Sequence, residues 1–374
     1  MKILQTISGL SAKSGGPSTC TRDLMEGFAM VGGSVDLLTM AADDNLGKGY
    51  VWLHEVKNDM RTPLGFSKNF REALRQSYHD VYHANALWSY INHVTCEVAR
   101  EKGRPYIISP HGMLYPNALH RHYWKKWPML KLWFEKDIRE ASALHVMCEE
   151  EMRHCRDFGY KGPIAIIPNP VAVPEEYASG NIIPKKKSIG YLGRLHPYKR
   201  PDALIRAWAS VLDAVADWEL VIMGSGEPQY ERSLVELASG LGLKNVRFMG
   251  MVTGDEKYKE LASLRALCCP SVSENFGMSV AEALLCHTPV ICTKTAPWEL
   301  LETEHCGWWC DNDEKTLAAK ILEAIALDEA TLREMGQRGH DATVALCSQE
   351  SVANKMLSLY RWLVDGGERP EFVR

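Results

Sequence analysis

The sequence predicts an α/β protein of two successive domains, each a parallel sheet covered by helices on both faces. Three observations predict it. Short apolar runs alternate with longer amphipathic segments from residue 2 to residue 168. A stretch rich in Pro, Gly and charge, VAVPEEYASGNIIPKKK at 171–187, interrupts that rhythm. A second alternation of the same kind begins at Ser188. Strands alternating with helices imply βαβ units, which bury a parallel sheet between two helical layers. The domain plan is 1–170, a linker at 171–187, and 188–348, with a last helical stretch over 349–374 able to return to the first domain. Ligands of such sheets bind at the carboxyl ends of the strands, so the expected site is a cleft that both sheets face.

In chain order, the first strand is KILQTI (2–7), followed by a Gly-rich loop and a helix over 18–31. Strands follow at VDLLTM (35–40), VWLHEV (51–56), DVYHAN (80–85), PYIISP (105–110), ALHVMC (143–148) and IAIIP (164–168). Between them, 67–78, 89–102, 120–140 and 149–158 read as helices. The second domain has strands at 188–193, 218–224, 245–250, 266–270, 289–293 and 307–310. Helices fit at 201–215, 229–241, 255–263, 278–287, 313–327 and 349–364.

Composition excludes several classes. The net charge of −4 weighs against a general nucleic-acid binder, and 46% hydrophobic residues can fill large cores. Eleven cysteines show no C-x-x-C spacing, so they read as buried free thiols of a reducing cytoplasm. The start, MKILQTISG, is too short in apolar residues for a secretion signal, and no run approaches the roughly 20 apolar residues of a membrane span. The expected location is cytoplasmic, with any membrane contact peripheral and at the inner face. No G-x-G-x-x-G follows the first strand, and no P-loop, G-x-S-x-G or H-E-x-x-H motif is present, which disfavours dehydrogenase, P-loop kinase, hydrolase and zinc-protease chemistry.

The most informative stretch is SVSENFGMSVAEALLCHTPVICT (271–293). A strand ends at Pro270, a polar loop carries Glu274, and a helix opens near Met278 with Glu282 in its first turns. Asn275, Phe276, Gly277 and Met278 lie where a helix start points free N–H groups at an anion, and Gly277 permits close approach of a ligand. A second constellation, YLGRLHPYKRPD (191–202), places Arg194 and Lys199 in the loop after a strand, two cations suited to a diphosphate. The loop SGG (14–16) brings Gly15 and Gly16 after the first strand, and ISPHGMLYP (108–116) places His111 after another. GSGE (224–227) supplies Gly224 and Gly226, and FMGMV (248–252) supplies Met249 and Gly250. Each has a plain alternative, as a turn, a helix cap or a solvated cation.

The E-x-F-G-x-x-x-x-E-A string resembles the signature of the family 4 retaining glycosyltransferases, and the resemblance extends over most of the chain. It implies the GT-B fold, two Rossmann-like domains facing across a central cleft. It implies that Glu274 bonds donor-sugar hydroxyls and that Glu282 accepts from the donor ribose. Arg194 and Lys199 match the family's phosphate clamp. His111 lies near the sugar's reactive carbon, and the loop of Gly15 and Gly16 near the phosphates. Gly224, Gly226, Met249 and Gly250 lie near the nucleotide. Pro170 and Cys148 depart from the family's usual Gly and hydroxyl residue at their positions.

The implied reaction is retaining transfer of a hexose-type sugar from a UDP- or GDP-sugar to a glycan or lipid-linked saccharide, in bacterial surface polysaccharide or lipopolysaccharide synthesis. No cofactor and no metal are expected. The alternatives are a non-hydrolysing nucleotide-sugar epimerase and a non-catalytic nucleotide-sugar binder. Asp311-Asn312-Asp313 spells D-x-D but precedes a helix, where Asp caps are common. The stretch 120–136, HRHYWKKWPMLKLWFEK, mixes basic residues with three Trp and suits either a partly buried face or an anionic membrane surface.

Overall fold

The computed structural model describes residues 1–11, 16–42, 44–57, 59, 65–120, 123–179 and 183–374. The chain divides into two compact units, Met1–Pro170 with Cys347–Arg374, and Val171–Leu346.

The first unit holds a seven-stranded parallel sheet in the order β3-β2-β1-β4-β5-β6-β7. Its strands are β1 (Ile3–Ile7), β2 (Val35–Met40), β3 (Leu53–Val56), β4 (Val81–Asn85), β5 (Tyr106–Ser109), β6 (Ala143–Val146) and β7 (Ile164–Ile166). Every residue of β1, β4, β5 and β6 is buried, as strands covered on both faces require, whereas the edge strand β3 exposes His54 and Glu55 and half-buries Leu53 and Val56. Side-chain caps fix the helix starts: Ser67 accepts from the Phe70 N–H at 3.0 Å and Ser89 from the Asn92 N–H at 3.3 Å.

The expected single helix over 120–140 is instead a series of pieces, Pro116–His120, Tyr123–Met129, a π-helical turn Leu130–Phe134 and Glu135–Arg139. Pro128 has no N–H to donate and crowds the preceding turn, which breaks the regular ladder. The stretch 349–374 holds the helix expected over 349–364. Its helix, Gln349–Asp365, ends at Gly366 with φ +74°, and the chain turns back to lay Val373 antiparallel beside Ala165 of β7. Gln349–Asp365 packs on helix Gly16–Met30, where a Cβ on Gly27 would stand 2.5 Å from the Gln349 carbonyl oxygen.

The second unit holds a six-stranded parallel sheet in the order β10-β9-β8-β11-β12-β13. Its strands are β8 (Ser188–Leu192), β9 (Glu219–Met223), β10 (Val246–Gly250), β11 (Ala266–Cys269), β12 (Val290–Thr293) and β13 (Gly307–Cys310). Helix Glu329–Cys347, nineteen residues long, was not anticipated, nor was the short helix Glu175–Ala178 inside the expected linker. All eleven cysteines are buried and none forms a disulfide. Both sheets reverse strand order once, between β1 and β4 and between β8 and β11. At such a reversal the loops diverge and leave a crevice at the carboxyl ends, the usual ligand position in doubly wound sheets.

Candidate active site

In the second unit the loops after β8 and β11 meet at that reversal. Val272 N–H donates to the Tyr198 carbonyl at 2.9 Å, which joins the two loops directly. Lys199 Nζ then reaches Glu274 Oε1 at 2.5 Å, with Glu274 only 8% exposed. Ser271 Oγ donates to the same oxygen at 2.8 Å. The carboxylate is thus oriented by a cation and a hydroxyl, and charge-assisted bonds of this kind contribute roughly 1.5–3 kcal/mol each. Arg194 is exposed and its guanidinium has no ion-pair or hydrogen-bond partner among the described residues. One cation is committed and the other is available to an incoming anion.

Gly277 caps helix Met278–Leu285 with φ +90°, a conformation that strains any L side chain. The first backbone bond of that helix runs from Val280 N–H to the Gly277 carbonyl, so the N–H groups of Phe276, Gly277 and Met278 donate nothing within it. Phe276 itself turns inward. It is 4% exposed, packs on Trp298 with ring centroids 5.3 Å apart, and its carbonyl accepts the Trp298 indole N–H at 2.5 Å. Its side chain is core, and only its N–H is free to serve a ligand. Asn275 lies between Glu274 and this aromatic pair. Trp298 carried no local sequence signal, because its partner lies 22 residues earlier. Glu282 lies on the same helix, 8% exposed, with Oε1 2.9 Å from Lys257 Nζ. Sequence reasoning missed Lys257, which sits in an ordinary-looking charged helix.

The glycines after β9 have an internal reason. A Cβ on Gly224 would stand 1.8 Å from the Gly193 carbonyl oxygen, and one on Gly226 would stand 2.0 Å from that of Leu195. The chains continue pairing past the strand ends, with Gly193 N–H to Met223 O at 3.0 Å and Leu195 N–H to Ser225 O at 2.9 Å. Gly224 and Gly226 therefore hold the Arg194 loop in place by close backbone packing. Met249 sits at a register shift of β10, and Gly250, exposed with φ +71°, accepts from the Gly224 N–H at 2.7 Å. A hollow of about 470 Å³ opens here, lined by Leu195, Gly224, Arg232, Val235, Phe248 and Gly250 among others. Asp313 is a helix cap, accepting from the Thr316 N–H at 2.9 Å and the Thr316 hydroxyl at 2.6 Å.

In the first unit His111 follows β5 with φ +50°, a strained value for a non-glycine residue. Its loop is held by the fully buried Glu151, which accepts the Gly112 N–H on one oxygen and the Met147 N–H, at 2.9 Å, on the other. The His111 Nε2 is buried with no hydrogen-bond partner among the described residues. Burial, with His145 nearby, pushes the imidazole down to about 3, so it is neutral at physiological pH. Gly16 is exposed at the start of helix Gly16–Met30, and Gly15 lies outside the described residues.

Beneath His111 a row of buried polar side chains crosses the sheet. His145 Nε2 lies 2.9 Å from the Ile167 carbonyl, which can only accept, so Nε2 carries the proton and Nδ1 is an acceptor. Ser109 therefore donates to that Nδ1 at 2.7 Å and accepts from His83 Nε2 at 2.7 Å. His83 Nδ1 accepts from the Tyr360 hydroxyl at 2.7 Å, and Gln5 Nε2 donates to that hydroxyl at 2.9 Å. Asn85 Nδ2 donates to Gln5 Oε1 at 3.0 Å. One carbonyl thus sets the tautomer of two imidazoles, both held neutral by burial.

Residues 14–173 match the family described as Glycosyltransferase Family 4, and residues 186–327 match Glycosyl transferases group 1. D-inositol 3-phosphate glycosyltransferase of Corynebacterium jeikeium (strain K411) is 30% identical over 195 residues, covering 50% of this chain and 46% of that protein. The protein of that name from Corynebacterium urealyticum (strain ATCC 43042 / DSM 7109) is 25% identical over 312 residues, covering 68% and 73%. The chain spans under half the length of the first curated relatives it matches, 46%, 37% and 42%. Among solved structures, Anabaena HepE in complex with UDP and glucose superposes with TM-score 0.74 at 19% identity, covering 96% of this chain and 99% of that one. Sucrose-phosphate synthase from Thermosynechococcus elongatus superposes with TM-score 0.76 at 21% identity, covering 98% and 100%. At these identities the likeness is one of fold, the GT-B arrangement of two Rossmann-like units.

Proposed function

The chain belongs to glycosyltransferase family 4, and from that premise we propose that it moves a hexose-type sugar from a nucleoside diphosphate donor to a saccharide acceptor, with retention of configuration. The observation that carries this reading is the cluster at the β8/β11 reversal. There an oriented carboxylate, a free guanidinium and three unspent N–H groups come from adjacent loops. In this reading unit 2 binds the donor. Arg194, Lys199 and the N–H groups of Phe276, Gly277 and Met278 take up the charge that grows on the departing diphosphate. That set of donors makes a divalent cation unnecessary for leaving-group stabilisation. Glu274 receives hydroxyls of the donor sugar and Glu282 those of the ribose. Neutral His111 in unit 1 offers its unpartnered Nε2 to a sugar hydroxyl. The acceptor attacks on the face from which the diphosphate leaves, and the diphosphate takes the acceptor's proton.

The donor is a UDP- or GDP-sugar, with UDP tried first because HepE holds UDP and glucose. The acceptor is a glycan or lipid-linked saccharide of a bacterial surface polysaccharide, met at the inner face of the cytoplasmic membrane. Support for membrane contact comes from the segment around 120–136, where Trp124 is 73%, Trp127 49% and Leu132 73% exposed. No described helix is long and apolar enough to cross a membrane.

The test is thermal shift with UDP, GDP, ADP and their sugar conjugates in EDTA. A preferred nucleotide at about 100 times its Kd adds about 2.7 kcal/mol of stability. The Arg194→Ala variant should keep its Tm without ligand and lose most of that gain, with turnover down about 10- to 100-fold. Turnover within threefold of wild type would remove Arg194 from the diphosphate site, and no shift with any nucleotide would remove the donor reading.

A further inference from the structure

Glu282 would be an unstable feature by itself. A carboxylate that is nearly sealed from water must be paired, or it takes a proton and one of its oxygens becomes a donor. Its pairing comes from Lys257 of helix Gly254–Ser263, which packs against helix Met278–Leu285. Lys257 Nζ stands 2.9 Å from Glu282 Oε1, and the two side chains are 18% and 11% exposed. The ammonium also lies 4.3 Å from the centre of the Tyr258 ring, and Tyr258 is anchored through its hydroxyl to the Ala172 carbonyl at 3.2 Å. Burial depresses the lysine's pKa, but the Glu282 carboxylate and Tyr258 outweigh it and hold the amine above its ordinary value. Oε2 of Glu282 has no partner among the described residues. One oxygen is fixed by a cation and the other is presented in a single orientation.

We propose that Lys257 is a positioning residue for the donor's ribose, holding Glu282 turned so that its free oxygen accepts a ribose hydroxyl. This rests on the reading that Glu282 binds the ribose. Fixing the carboxylate before the ligand arrives removes the rotamer entropy that a mobile Glu would lose on binding. Lys257 touches no reacting atom, so its contribution is to donor affinity and not to the chemical step.

The experiment is a cycle between enzyme variants and ribose hydroxyls. Isothermal titration of the full chain with UDP, GDP and ADP identifies the preferred nucleotide, and its 2′-deoxy and 3′-deoxy forms are then compared across wild type, Lys257→Met, Lys257→Arg and Glu282→Ala. Wild type should bind the ribonucleotide about tenfold or more tightly than at least one deoxy form. Lys257→Met should weaken the ribonucleotide about tenfold and leave that deoxy form within twofold, and Lys257→Arg should restore most of the loss. Equal weakening of both forms by Lys257→Met, or no weakening, overturns the proposal while Glu282 keeps its role. If Glu282→Ala preserves the preference for ribose, the reading of Glu282 falls and the proposal with it. Should Lys257→Met fail to fold, Lys257→Gln, one atom shorter and polar but without the charge, takes its place with the same outcomes.

Discussion

Lys185 shows how far one side chain's setting departs from its sequence. It sits in a run of three lysines, 185–187, where solvated cations are the ordinary expectation. Its amine instead bonds the Ala262 carbonyl at 2.8 Å and the Thr288 hydroxyl at 2.7 Å, and burial pushes it down to about 7. A neutral amine has two N–H donors, and these two acceptors match them. In the unfolded chain a lysine titrates near about 10.4. Between roughly pH 7 and pH 10 the unfolded state therefore binds more protons, and stability rises with pH over that window. Urea unfolding at pH 7 and pH 9 should show this gain as a difference between wild type and Lys185→Met, since the buried cysteines, raised by burial, oppose it equally in both. At this scale the charged loops around Glu274 and Arg194 are legible in the sequence, because their chemistry is carried by residue type and local spacing. Lys257 and Trp298 were not legible there, because their meaning lies in partners 25 and 22 residues away.

Strands and their loops were read more fully than helices. Val35–Met40 and Gly307–Cys310 fall where the apolar runs begin and end, since a buried parallel strand is a short continuous apolar stretch. Helix Glu329–Cys347 carries Gly336 and Gly339 and has no clean apolar stripe, so periodicity did not reveal it. Its glycines are there for packing, a Cβ on Gly336 standing 2.5 Å from the His287 carbonyl oxygen. The same logic governs the extension of β8 beside β9. Gly224→Ala would set a Cβ into the Gly193 carbonyl at a φ of +137°, so it should destabilise by at least about 2 kcal/mol and disorder the Arg194 loop. Thermal melts alongside nucleotide titration check this. Lost affinity without lost stability would return Gly224 to a direct ligand role.

Across the whole chain, the buried row from Asn85 to Ile167 ties β1 to a helix 355 residues later through Gln5 and Tyr360. Tyr360→Phe would leave His83 Nδ1 and a Gln5 N–H without partners and should destabilise the first unit by about 1–3 kcal/mol. His145 is pushed down to about 4 by burial, against about 6.5 unfolded. Stability from neutral His145 is complete above pH 6.5 and is lost as pH falls toward 4, where the unfolded state binds the additional proton. Denaturation at pH 7, 5.5 and 4.5 measures that slope, and a shallower profile in His145→Gln, with buried His83 and His111 still contributing, identifies the share of His145.

That row also has a direction. Every O–H and N–H in it points from Asn85 toward Ile167, because the Ile167 carbonyl permits only one sense at its end. No member can reverse alone without setting two hydrogens face to face or two lone pairs face to face. The links therefore share one fate. The double variant Ser109→Ala with Tyr360→Phe should lose less stability than the sum of its singles, since the first break has already released the neighbours of the second.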